Sequence, residues 1–121
     1  MPIRYELDDL RRRVVVTIDG LFEADDILAI AARQRAEHTW NYGILYDLRE
    51  MTGKPTVAEL RQLMNKAATR QPGERLRGPV ALLATDTTLY GRLCTCAVLG
   101  RSTTLSIEVF RDKSEAEQWL T

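Results

Sequence analysis

Histidine is almost missing from this sequence, cysteine is scarce and neither sign of charge is in excess. Each shortage removes a class of function. The single histidine, His38, stands beside Glu37 near the polar end of a helical stretch, with no serine or cysteine at motif spacing. A Ser-His-Asp or Cys-His arrangement therefore has no support, and His38 reads as a helix-terminal surface residue. Zinc wants three or four converging Cys, His or carboxylate ligands, which one histidine and two cysteines do not supply, so no metal site is expected. Cys94 and Cys96 are two apart on a helical stretch, where such side chains diverge and cannot pair. Reduced thiols and a cytoplasmic location are expected, with Cys96 in the core and Cys94 the more exposed.

Seventeen Lys and Arg balance seventeen Asp and Glu. A neutral chain lacks the field that draws phosphate backbones or anionic lipid to a surface, so nucleic acid is not an expected partner. The nearest basic cluster, Arg11, Arg12 and Arg13, follows Asp8 and Asp9 and reads as a solvated turn. No stretch approaches the roughly 18 apolar residues that cross a bilayer, and the start lacks the pattern of an export leader. Neither stable membrane insertion nor export is expected. Phosphate-cradling glycine motifs are absent, since Gly91 and Gly100 stand alone, and no cofactor is expected.

What is present describes an ordinary soluble domain. With 121 residues, 45% hydrophobic and 28% charged, the chain suits one compact domain over residues 1–121. Ile3, Tyr5 and Leu7 alternate with Arg4, Glu6 and Asp8, the period of a strand with one wet face. Val14, Val15, Val16, Thr17 and Ile18 are β-branched throughout, which suits a pleated sheet, and the two runs predict an antiparallel hairpin. Ala24, Ile27, Leu28, Ala31 and Ala32 have helical spacing, with acids at the start and Arg33 and Arg35 near the end.

Ile44 to Leu48 then form a short apolar run that predicts a buried strand, followed by a polar stretch over residues 49–55. Thr56 and Glu59 form a T-x-x-E capping box ahead of the stripe Val57, Leu60, Leu63, Met64 and Ala67. Residues 80–84 predict another buried strand. Thr85, Asp86, Thr87 and Thr88 are candidate caps for a helix carrying Leu89, Leu93, Cys96 and Ala97. Leu105, Ile107 and Val109 predict a one-sided strand, and Ser114 with Glu117 a second box before a short helix bearing Ala116, Trp119 and Leu120. The order β-β-α-β-α-β-α-β-α gives an α/β protein with a mixed five-stranded sheet and four helices.

Three segments carry a resemblance: Ile44-Leu45-Tyr46-Asp47-Leu48-Arg49, Tyr90-Gly91-Arg92, and the ending from Val109-Phe110-Arg111-Asp112 through Glu115, Ala116, Trp119 and Leu120. With the element order they resemble the STAS superfamily and its SpoIIAA-like subgroup, a fold similar to CRAL-TRIO lipid-binding domains. The resemblance implies a regulatory or protein-interaction module. In antagonist proteins of that family, a serine in the loop after the strand that ends in Asp-Leu is phosphorylated. Here that loop reads Arg49-Glu50-Met51-Thr52-Gly53-Lys54-Pro55-Thr56, without serine, so the switch is not carried over. Thr52 and Thr56 alone stand in its place, and Thr56 is already a cap.

In open α/β sheets, ligands gather beyond the carboxyl ends of the strands. That rim comprises residues 47–56 and 85–92, and its candidate binding residues are Asp47, Arg49, Thr52, Lys54, Thr87, Thr88, Tyr90 and Arg92. The helix start near Thr87 reads as a spot for an anion. Two functions follow. The first is a non-enzymatic protein-interaction module whose partner is unidentified. The alternative is a carrier for a small apolar or anionic ligand, in which the apolar helix over residues 57–68 opens a groove. An unpaired edge strand, residues 3–7 or 105–109, also invites pairing with a second copy.

Overall fold

The computed structural model describes residues 3–21, 23–53, 55–68, 78–100 and 106–121. The alternating and β-branched runs pair as predicted: β1 (Ile3–Asp8) and β2 (Arg13–Gly20) are antiparallel, with Ile3 opposite Ile18 and Asp8 opposite Arg13. There follow α1 (Ala24–Ala36), β3 (Gly43–Met51), α2 (Val57–Ala68), β4 (Val80–Leu83), α3 (Thr87–Gly100), β5 (Ile107–Phe110) and α4 (Lys113–Leu120). The strands lie in the order β1-β2-β3-β4-β5, and β2 to β5 are mutually parallel. This is the expected mixed five-stranded sheet with four helices.

Strand alternation sorts the core into two layers. Val14, Val16, Ile18, Tyr46 and Leu82 face α1, α2 and α3, which add Ile27, Leu60, Leu93 and Cys96. Leu45, Ala81 and Leu83 face the other way and are covered by Ala116 and Trp119 of α4. Phe110 and Trp119 close that layer, their ring centroids 5.8 Å apart. The Thr56 box forms as expected: Thr56 N donates to Glu59 Oε1 at 3.1 Å and Glu59 N to Thr56 Oγ1 at 3.2 Å.

Four expectations are corrected. β3 runs to Met51, so Arg49 and Glu50 belong to the strand. It is held there by β2, whose Asp19 and Gly20 pair with Glu50 and Met51 past a register shift. Arg13 is not in a solvated turn but is 4% exposed, and its Nη2 donates to Glu117 O at 3.0 Å. The carbonyl end of α4 favours that cation. On α1 the buried face is Ile27, Ile30, Ala31 and Gln34, leaving Leu28 and Ala32 exposed. The helix is turned to bring Gln34 inward, where its Nε2 donates to Thr39 O at 3.2 Å. Asp112, not Ser114, caps α4, accepting from Ser114 N at 3.0 Å, because Asp112 is the last residue with extended backbone. Leu105 lies outside the described residues.

The end of α1 is fastened to β1 through Tyr5, whose hydroxyl donates to Glu37 Oε1 at 2.9 Å beneath the Arg33 guanidinium. Burial, reinforced by Glu37, pushes that hydroxyl from 10.0 up to about 12. The unfolded chain then ionises Tyr5 at lower pH than the folded one. The contribution is complete below about pH 10 and is lost as pH rises toward about 12. Urea unfolding across that window is expected to show a shallower decline for Tyr5→Phe than for the wild type. Parallel declines would contradict this account.

Candidate functional site

The stripe on α2 is apolar at helical spacing, yet among its described side chains Leu60 alone is buried, and Val57, Leu63 and Met64 are half-buried. Packed interiors hold few voids larger than a water molecule. Here a cavity of about 310 Å³ lies between the stripe and the sheet. Its floor is Tyr46 and Leu48 of β3 with Leu82 of β4, and its deep end is Val80 and Ile107 where β4 and β5 begin. Leu93 of α3 forms one wall. The mouth is bordered by Leu21, Thr52, Gly53, Pro55 and Glu59. That volume falls at the lower end of the range, about 300–1,000 Å³, typical of small-molecule sites.

The mouth owes its shape to two residues. Gly53 turns the chain from β3 toward α2 at φ +83°, a conformation that L side chains rarely adopt. Leu21 is 67% exposed and stands over it, its Cδ2 3.4 Å from where a Cβ on Gly53 would lie. Among the described residues that line the groove, Glu59 is the charged one. Thr52 brings a hydroxyl to the mouth.

Among the described residues, the candidate rim positions do not converge as one set. Asp47 and Arg49 have the opposite strand parity from Tyr46 and Leu48 and face the α4 side, away from the groove. Arg49 grips Asp47 with two bonds, Nε to Oδ1 at 2.9 Å and Nη2 to Oδ2 at 2.8 Å. Burial alone would raise the Asp47 carboxyl; the bonds and charge of Arg49 outweigh it and hold the group below its usual range. Each charge is offset by the other. Thr52 does border the groove, and Arg92 lies beside it, its Nη1 donating to Pro55 O at 3.1 Å. Lys54 lies outside the described residues.

Thr87 and Thr88 are exposed in the first turn of α3. The anion spot expected there is taken by the Asp86 carboxylate, which accepts from Leu89 N at 2.9 Å. Tyr90 turns toward the other layer, where the Arg111 guanidinium lies 5.0 Å from its ring centre. His38 is exposed just past α1, at φ 59°, before β3 begins, whereas Thr52 follows the end of β3. Cys94 is half-buried, and Cys96 is buried with its Sγ 3.5 Å from Val57 O; burial pushes the Cys96 thiol up. No group of three potential metal ligands occurs among the described residues. None of the described helices is long and apolar enough to cross a membrane.

Two solved structures superpose on nearly the whole chain. One is an anti-sigma factor antagonist from Mycobacterium paratuberculosis, with a TM-score of 0.57 and 14% identity, covering 98% of this chain and 93% of that one. The other is an uncharacterized protein with a SpoIIAA-like fold from Shewanella loihica, with a TM-score of 0.60 and 16% identity, covering 98% and 92%. The fold is STAS or SpoIIAA-like. No family model and no curated protein matches the sequence. At these identities the likeness speaks for the scaffold, and the groove under α2 is argued from this chain's own residues.

Proposed function

We propose that this SpoIIAA-like domain is a non-catalytic binding module that takes a small apolar molecule, or the acyl chain of a larger one, beneath α2. The observation that carries this reading is the groove of about 310 Å³, floored by Tyr46, Leu48 and Leu82 and roofed by a half-buried apolar stripe. Leaving Leu63 and Met64 half-covered forgoes hydrophobic stabilisation of roughly 25 cal/mol per Å² of apolar surface, which a ligand restores. His38, Asp47, Thr52 and Cys94 stand apart, which supports binding over catalysis. Native mass spectrometry with 1-decanol tests the reading. A one-to-one complex with a Kd on the order of 10 μM is expected from the handful of carbons buried. No complex at millimolar decanol would sink it.

A regulatory, protein-binding role is a second reading, supported by the antagonist named among the structural neighbours. Thr52 and Gly53 border both the groove and the exposed rim, so a bound molecule would set the surface that a protein partner meets. Pull-down with and without decanol separates the cases: one specific partner whose recovery changes with decanol supports this role, and unchanged background recovery counts against it.

A further inference from the structure

β1 is an edge of the sheet, with β2 on one side and, among the described residues, no strand on the other. Such an edge is a template for another strand unless a proline or a bulge spoils it. Neither occurs in β1. Ile3–Asp8 contains no proline, and each of its residues pairs with β2 in unbroken register.

Ile3, Tyr5 and Leu7 share one face of the strand; Ile3 and Tyr5 pack against the core, while Leu7 is left 38% exposed. Arg4 and Glu6 share the opposite face, their side chains 73% and 61% exposed. Across β2 their register partners are Thr17 and Val15, which carry no charge. Along the strand, Arg4 Nη1 comes no nearer to Glu6 Oε1 than 3.9 Å. Both charges are thus open to partners on the outer side.

Residues directly opposite in an antiparallel pair share a face, so two copies of β1 related by a two-fold axis must centre on a residue. The charges choose which one. Centring on Tyr5 sets Arg4 of each copy opposite Glu6 of the other, and Ile3 opposite Leu7. Centring on Arg4 or on Glu6 brings like charges together at the axis, and centring on Leu7 sets Glu6 opposite Asp8. Opposite charges directly across two strands stabilise the pair and like charges oppose it.

We infer that β1 pairs with β1 of a second copy, antiparallel about Tyr5, and joins two five-stranded sheets into one. β2 separates β1 from the groove floor on β3 and β4, so this pairing is independent of whether the groove takes a ligand. A contact confined to residues 3–7 is small, and a reversible dimer with a Kd on the order of 100 μM is expected.

Sedimentation velocity of the intact protein, from about 10 μM to about 1 mM, tests it. Arg4→Glu and Glu6→Arg each turn both cross-pairs into like charges, and each should weaken dimerisation about tenfold. Mixed one to one, the acids of the first variant face the bases of the second, and a mixed dimer of wild-type affinity should form. The exchange variant Arg4→Glu with Glu6→Arg keeps both cross-pairs and should dimerise as the wild type does. All of these side chains are exposed, so circular dichroism should stay as in the wild type. A wild type that is monomeric throughout the range, single variants that dimerise undiminished, or a mixture and an exchange variant that fail to recover the dimer would overturn the assignment.

Discussion

Leu63→Trp is expected to abolish decanol binding while leaving the domain folded. Leu63 lies on the roof of the groove and is half-buried, so an indole there can enter the cavity without displacing packed neighbours. It would occupy the space that an alkyl chain needs, so affinity should fall at least about 100-fold, or roughly 3 kcal/mol. Because the added ring fills a void, the thermal midpoint should stay within about 3 °C of the wild type. The check is calorimetric titration alongside circular dichroism. Undiminished decanol binding by a folded Leu63→Trp protein would place the ligand elsewhere.

Gly78→Ala is expected to be the most damaging single methyl addition among the described glycines. Gly78 is buried just before Pro79, where β4 begins, and its N–H donates to Trp40 O at 3.1 Å. A Cβ there would fall on the carbonyl oxygens of Asn41 and Tyr42. These are backbone atoms at the entry to β3, which cannot swing aside as a side chain can. Overpacking of this kind costs about 3 kcal/mol, a loss on the order of 10 °C in thermal midpoint for a domain of this size. Gly91→Ala is the control. Gly91 sits in α3 with nothing within 4 Å of where a methyl group would lie, so the same change should stabilise by roughly 0.5–1 kcal/mol. Equal effects at the two positions, read by urea unfolding, would refute this steric account.

What could be read from the sequence was what local sterics decide. The β-branched run from Val14 and the alternation from Ile3 to Leu7 gave the hairpin, and the Thr56 and Glu59 box marked the start of α2, because each depends on a few neighbouring residues. What could not be read depended on distant partners. Arg13 is buried because the Glu117 carbonyl arrives from 104 residues away, and β3 continues to Met51 because β2 continues beside it.

The candidate site divides in the same manner. The rule that ligands collect beyond the carboxyl ends of parallel strands led to Thr52, which does border the groove. Asp47 and Arg49 were drawn in by proximity along the chain, although parity alone places them opposite Tyr46 and Leu48. The stripe on α2 was legible as apolar. That the sheet does not close against it depends on how three helices share one face, which periodicity does not report.

The most direct test is a methyl-detected NMR titration of the intact protein with 1-decanol. The account predicts saturable shifts at Leu60, Leu63, Met64, Leu82 and Ile107, around the groove, with Leu83 and Ala116 under α4 unmoved. Shifts confined to exposed methyls such as Leu10 and Leu28, or no saturable shift at any of these positions, would contradict it.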